Sequence, residues 1–363
     1  MANTQDIAPT PKFEPAELGE LCLVTGGGGY VGSALVRRLR ENGCRVRSLD
    51  VVPHDFDDPG VETVVADLRH YADVRRACEG VDTVFHTAAI INLLSLYRPA
   101  QKRMVYEVNC VGTRNLVKAA EAAGVAALVQ TSTFSVVLDR VLDNQDESVP
   151  YATRTRDLYS MTKIEAERTV LAADQSDGLR TCALRPGGVW GSDCNSIMIR
   201  SFLEELAAGR FKALIGNGRA TMDNTHVDNL IDAHFLAAKA LREKPEVVGG
   251  QAYFINDDEQ VNGLVWFKPL VEALGEKFPR LTLPAPMMKM IGRGMELAHF
   301  FGGPEPTLTH RGIRNLTESS SFRIDKARRD LGYTPRFTRD NGFALLLPNA
   351  RRFVDDLRGK AAA

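Results

Sequence analysis

Leu21-Cys22-Leu23-Val24-Thr25-Gly26-Gly27-Gly28-Gly29-Tyr30-Val31-Gly32 is the stretch on which the reading of this chain turns. A compact apolar run of β type ends in four glycines. Residues 30–42 then place Val31, Leu35, Val36 and Leu39 on one helical face. A Gly-rich spacing carries weight only between a strand and a helix, which is its setting here. Glycines at 26, 29 and 32 permit a tight turn, close approach of the backbone to a pyrophosphate, and close packing of helix on strand, while free N–H groups at the helix start bind phosphate. Four glycines alone would equally suit a flexible turn; the flanking strand and helix argue against that.

Outward from this turn, short runs rich in Val, Leu and Thr alternate with more polar helical stretches. Strands are expected at residues 45–49, 63–66, 83–87, 127–131 and 182–184, with a late one at 251–256. The alternation predicts an α/β fold, a doubly wound parallel sheet with ligands at its carboxyl edge. The second strand ends in Asp50, 24 residues past Gly26. A carboxylate there accepts hydrogen bonds from ribose hydroxyls and repels a 2′-phosphate, and Val51 and Val52 follow in place of an Arg, so NAD is expected over NADP. Asp67, after the third strand, either bonds the adenine amino group or caps the next helix.

The 363 residues leave room for about two lobes. The first 19 read as a mobile tail, 20–185 as the nucleotide-binding domain with 228–257 returning to it, 186–227 and 258–350 as a smaller substrate-binding lobe, and 351–363 as a C-terminal tail. A formal net charge of −1 gives no electrostatic footprint for nucleic acid. The six cysteines are scattered without metal-ligand spacing, which fits a reducing, cytoplasmic setting. No metal is expected: neither His86 nor His226 is accompanied by a ligand cluster.

Oxidising an alcohol requires a base for the hydroxyl proton. A tyrosine titrates near 10 in water, and a cation one helical turn away brings it lower. Tyr159 and Lys163 stand at i and i+4 on an expected helix, and none of the other seven tyrosines has Lys four positions on. The third component is a hydroxyl at the end of the preceding strand, for which Thr133 is chosen and Ser132 is the rival. His226 and Asp228 invite pairing as catalytic groups, but Asp228 has a ready role as N-cap of a helix over residues 228–241.

Together Thr25–Gly32, Asp67-Leu68, His86–Ala89, Val108–Thr113, Tyr159–Lys163 and Leu184-Arg185-Pro186 resemble the extended short-chain dehydrogenase/reductases, from about residue 20 to 350. Within that superfamily the chain looks most like the 3β-hydroxysteroid dehydrogenase group, on residues 86–91, 184–191, 251–257 and 326–333. The resemblance implies a Rossmann-type fold and NAD-dependent oxidation of a sterol or steroid 3β-hydroxyl to the 3-ketone, with Δ5-to-Δ4 isomerisation or loss of a 4-carboxylate left open. By position it makes Tyr159 the base, lets Lys163 lower its pKa and bond the nicotinamide ribose, and puts the family's catalytic Ser at Thr133. Gly26, Gly29, Tyr30, Val31, Gly32, Asp50, Asp67, Leu68, Ala88, Ala89, Pro186 and Val189 would meet the cofactor. A homodimer through helices flanking the sheet is common in the superfamily.

Residues 284–301 add independent support for a lipid-like substrate: Met287, Met288, Met290 and Met295 lie among Ile291, Leu297, Phe300 and Phe301. This segment is expected to cap the substrate site and touch a membrane surface, with Ile90–Leu94 as a second pocket wall; the alternatives are ordinary packing and buried core. A nucleotide-sugar epimerase or dehydratase would share the nucleotide turn and the Tyr–Lys pair but would need a more polar lobe. A ketone reductase would usually draw on NADPH, which Asp50 disfavours. A non-catalytic NAD-binding regulator would have no use for the Tyr–Lys pair.

Overall fold

The computed structural model describes residues 7–91, 98–155, 157–175, 177–304 and 306–362. Its centre is a seven-stranded, wholly parallel sheet: β1 (Leu21–Thr25), β2 (Arg45–Asp50), β3 (Val61–Val65), β4 (Thr83–His86), β5 (Ala127–Thr131), β6 (Arg180–Pro186) and β7 (Gln251–Ile255), in the spatial order 3-2-1-4-5-6-7. The direction of winding reverses between β1 and β4. Both faces of the central strands are covered, so β1, β4, β5 and β6 are buried almost throughout, whereas β3 at the edge is largely exposed. Val24, Phe85 and Val129 pack on one side against α1 (Tyr30–Glu41) and, later in the chain, α4 (Val227–Glu243). Their neighbours Leu23, Val84 and Leu128 face the other side, where α2 (Thr113–Ala123) and α3 (Leu158–Ala172) contribute Leu116, Val117 and Val170.

Beyond β6 the chain builds a second core around Trp190, Ile199, Phe202, Trp266, Phe267 and Phe343. Three short parallel strand pairs frame it: Gly188–Trp190 with Asn224–His226, Leu214–Ile215 with Thr282–Leu283, and Leu142–Gln145 with Ser320–Phe322. The last pair ties a segment between β5 and β6 to the late part of the chain. This lobe also contains α5 (Ala285–Phe300), α6 (His310–Thr317) and α7 (Arg339–Ala362).

Three expectations differ from what is observed. The first 19 residues were expected to be a mobile tail, yet Phe13 and Leu18 are buried in the main core and Phe13 meets Phe235 edge-on at 5.5 Å. Residues 351–363 were expected to be a second tail, but α7 runs through 362 and buries Val354. In both places a few apolar residues in polar surroundings do the anchoring, too sparse for a periodic signal. Asp228 does not cap α4; the N-cap is His226, whose Nδ1 accepts from the Asp228 N–H at 3.2 Å. His226 is fully buried, stacks on Phe337 with ring centroids 4.0 Å apart, and is pushed down to about 3 by that burial, so it is a neutral structural group rather than half of a catalytic pair.

Candidate active site

Every expected site residue before residue 186 lies at or just beyond the carboxyl end of a sheet strand, around the reversal between β1 and β4, where open α/β sheets take their ligands. Gly26 has φ +72°, and a Cβ on it would come 2.8 Å from the Ala88 Cα beyond β4. A Cβ on Gly32 would collide with the Gly26 carbonyl, and one on Gly27 with the Ser48 hydroxyl. The turn is therefore glycine because backbone fills the space around it. Gly29 is the N-cap of α1 with no side chain to offer, so the first-turn N–H groups of Tyr30, Val31 and Gly32 are left without intrahelical acceptors.

Asp50 closes β2 and accepts from the N–H of Gly28 at 3.1 Å and of Val52 at 3.3 Å, which places its carboxylate at the rim of the turn. Asp67 is more committed. Arg69 donates to it from Nε at 2.9 Å and from its own backbone N–H at 2.9 Å, and this pairing holds Asp67 below the usual carboxylate range. It caps no helix, since the next one, Tyr71–Ala77, begins after His70. Leu68 points its side chain into the core beneath Gly112. Free helix-start amides, a glycine cradle that a Cβ would fill and a carboxylate at the end of β2 fit a dinucleotide.

The chemical groups stand beside this turn. Tyr159 and Lys163 are both buried on α3, whose N-cap, Asp157, accepts from the Ser160 N–H at 2.8 Å. The Thr133 hydroxyl, which accepts from the Ser135 N–H at 3.2 Å, lies close enough to the Tyr159 phenol to favour its charged form. Ser132 faces away: its hydroxyl donates to Glu167, which is buried and held by Arg185 at 2.6 Å and by the Tyr151 hydroxyl at 2.8 Å. Lys163 does not bond Tyr159 directly; its Nζ donates to the Thr131 carbonyl at 2.6 Å. Burial raises Tyr159 to about 12 and lowers Lys163 to about 8, because both charged forms lose water. After β6, the Gly187 N–H donates to Thr225 Oγ1 at 2.9 Å, and Val189 sits in the short strand that follows Pro186.

Two supporting residues were given no role in the sequence reading, although Asn109 lies in the Val108–Thr113 stretch that carries the resemblance. Asn109 lies in a π-helical turn, Glu107–Gly112, that leads into α2. Its Nδ2 donates to Thr162 Oγ1 at 3.1 Å and to the Ile90 carbonyl at 3.2 Å, and its Oδ1 accepts from the Ile90 N–H at 2.8 Å. It thereby fixes the chain after β4 to the turn of α3 that carries Tyr159. Arg311, on α6, reaches across from the second lobe and holds its guanidinium 5.3 Å from the centre of the Tyr159 ring. Neither had a signal in spacing, because each meets its partners only through the fold. His86, set aside as a metal ligand, is a buried bridge. Its Nδ1 lies 2.7 Å from Thr25 Oγ1 and its Nε2 2.9 Å from Thr113 Oγ1, and burial pushes it down to about 3. Among the described residues no group of three or more His, Cys, Asp or Glu could hold a metal ion. Of the proposed second pocket wall, Ile90 is half-buried and Ile91 exposed, while residues 92–94 lie outside the described residues.

A parallel sheet wound about this turn, with a buried Tyr–Lys pair on the helix after β5, defines a dinucleotide-dependent oxidoreductase of the extended short-chain dehydrogenase/reductase type. The chain belongs to the 3-beta hydroxysteroid dehydrogenase/isomerase family, whose profile matches residues 23–285. It is 40% identical over 351 residues to a 3-beta-hydroxysteroid dehydrogenase of Mycolicibacterium neoaurum, covering 95% of each chain. It is 39% identical over 353 residues to a 3 beta-hydroxysteroid dehydrogenase/Delta 5-->4-isomerase of Mycobacterium tuberculosis, covering 96% of this chain and 94% of the other. Among solved structures, the Thermus thermophilus UDP-glucose 4-epimerase complex with NAD superposes with a TM-score of 0.69 at 23% identity, over 91% of this chain and 99% of the other. That likeness speaks to the fold.

Proposed function

We propose that this protein oxidises the 3β-hydroxyl of a sterol or steroid to the 3-ketone, with NAD rather than NADP as its acceptor. The observation that carries the reading is the Tyr159–Lys163 pair buried at the carboxyl end of β5, at the same end of the sheet as the glycine turn. When bound, the nicotinamide supplies the hydride acceptor. Tyr159 takes the hydroxyl proton, and Thr133 orients the same oxygen by hydrogen bonding. Lys163, lowered to about 8, keeps most of its charge at pH 7; it bonds the nicotinamide ribose and favours the phenolate. The Tyr30–Gly32 amides would hold the pyrophosphate, Ala88, Ala89 and the 186–189 backbone would line the nicotinamide end, and Asp50 would take the adenosine ribose.

The substrate class rests on the family and on the apolar character of the second lobe. Met287, Met290, Ile291, Leu297 and Phe301 are exposed at helical spacing along α5 and just past its end, and a Cβ on Gly294 between them would meet nothing within 4 Å. This stripe supports docking on a lipid surface from which an insoluble sterol is drawn. Among the described residues no helix is long and apolar enough to cross a membrane.

The test is NADH formation on a panel of cholesterol, pregnenolone, a 4-carboxysterol and UDP-sugars, with products identified by mass. Tyr159→Phe is expected to reduce turnover by about 10²-fold or more, with NAD affinity retained. Full turnover in that variant, or activity confined to the UDP-sugars, would sink the proposal.

A further inference from the structure

Arg311 is the cation of the second lobe that enters the catalytic neighbourhood. It is 8% exposed, and its guanidinium forms an ion pair with Asp157, donates to Ser135 Oγ at 3.1 Å, and stands 5.3 Å from the centre of the Tyr159 ring. Each contact is tied to the base. Asp157 is the N-cap of α3, two residues before Tyr159, and its Oδ2, the oxygen facing Arg311, also accepts from the Ser160 N–H and hydroxyl. Ser135 follows Thr133 in the short turn whose N–H bonds the Thr133 oxygen at 3.2 Å. One side chain of the substrate lobe thus holds the helix that carries the base and the turn that carries its partner hydroxyl.

We infer that Arg311 is a positioning residue for the oxidation: docking of α6 on the catalytic helix fixes Tyr159 against Thr133 and supplies a positive charge that favours its phenolate. The inference rests on Tyr159 being the base, as proposed above. Among the described residues, the charged groups that act on Tyr159 are Arg311 from α6 and Asp157 from its own helix, with Thr133 as a neutral hydroxyl. Burial is the largest influence on the phenol, Arg311 is the strongest opposing one, and Asp157 works in the raising direction. The sign follows. The base acts deprotonated, so activity rises with pH, and removing the cation moves that rise to higher pH.

The experiment is the pH profile of kcat and kcat/KM for NAD-dependent steroid oxidation in Arg311→Gln and Arg311→Lys. NAD affinity and Tm are measured alongside, and Tyr159→Phe serves as a control. Arg311→Gln is expected to lose about tenfold or more of kcat throughout the range in which activity still rises with pH, a deficit of one pKa unit in the base. NAD affinity should stay near that of the parent protein. Arg311→Lys keeps the charge but not the planar fork that meets Asp157 and Ser135 together. Its profile should stay close to the parent's in pH while kcat falls severalfold. A folded Arg311→Gln with the parent's kcat and pH profile, or an Arg311→Lys that loses as much kcat as Arg311→Gln, overturns the inference. If Arg311→Gln does not fold, an Arg311→Lys whose kcat and profile both match the parent's overturns it. A fully active Tyr159→Phe would instead overturn the assignment of the base, which keeps the two failures apart.

Discussion

Single side chains divide here into those whose chemistry is local and those defined by what they meet. Asp50 is of the first kind: a carboxylate ending the second strand, with two backbone N–H donors holding it at the glycine turn. Asp50→Ala is expected to shift the ratio of kcat/KM for NAD over NADP by about tenfold toward NADP, since one charge-assisted ribose contact is lost and a repulsion removed. An unchanged ratio would show that Asp50 does not read the ribose. Ser132 and Thr133 are of the second kind. Adjacent hydroxyls at a strand end point to opposite sides, and the buried Glu167–Arg185 pair claims Ser132. Glu167 is four residues past Lys163, yet nothing in that spacing announces its hydrogen bond to a strand 35 positions earlier.

Whole elements were legible where both faces of the pattern agree. The central strands appear within a few residues of their expected positions because a doubly covered strand must be apolar throughout. α5 carries the Met-rich segment of residues 284–301. The structure separates its faces: Met288 is buried against Ile313, while Met290 is 70% and Phe301 79% exposed. Lys289 is not a free cation for lipid, because it pairs with Glu318 at 2.6 Å, whereas Arg293 is exposed. Intact protein is expected to co-sediment with vesicles containing anionic lipid, and Met290→Glu together with Phe301→Glu to release it. Absence of binding by the parent protein would rule the lipid contact out.

At the scale of the molecule, the two cores are joined by segments that no boundary drawn on the sequence respects. Leu142–Gln145 pairs with Ser320–Phe322, Arg38 and Arg336 share Asp232 across the interface of α1 and α4, and α7 packs on the Trp190 cluster. Deleting residues 351–363 removes Val354 from that cluster and the Arg358–Glu276 ion pair. The loss should be about 2–4 kcal/mol, mostly from buried apolar area, and is read as a fall of several degrees in Tm; an unchanged Tm would mean that the end of α7 is dispensable. By itself the sequence determined the winding of the sheet, the nucleotide turn and the Tyr159–Lys163 pair. These depend on periods of two and 3.6 residues and on where glycine alone fits. Only the tertiary structure decided that His226 is buried against Phe337, that Ser132 is bound to Glu167, and that Arg311 stands over Tyr159. Each of those is a contact between side chains tens to more than a hundred positions apart, and burial, which no local pattern carries, sets its electrostatic weight.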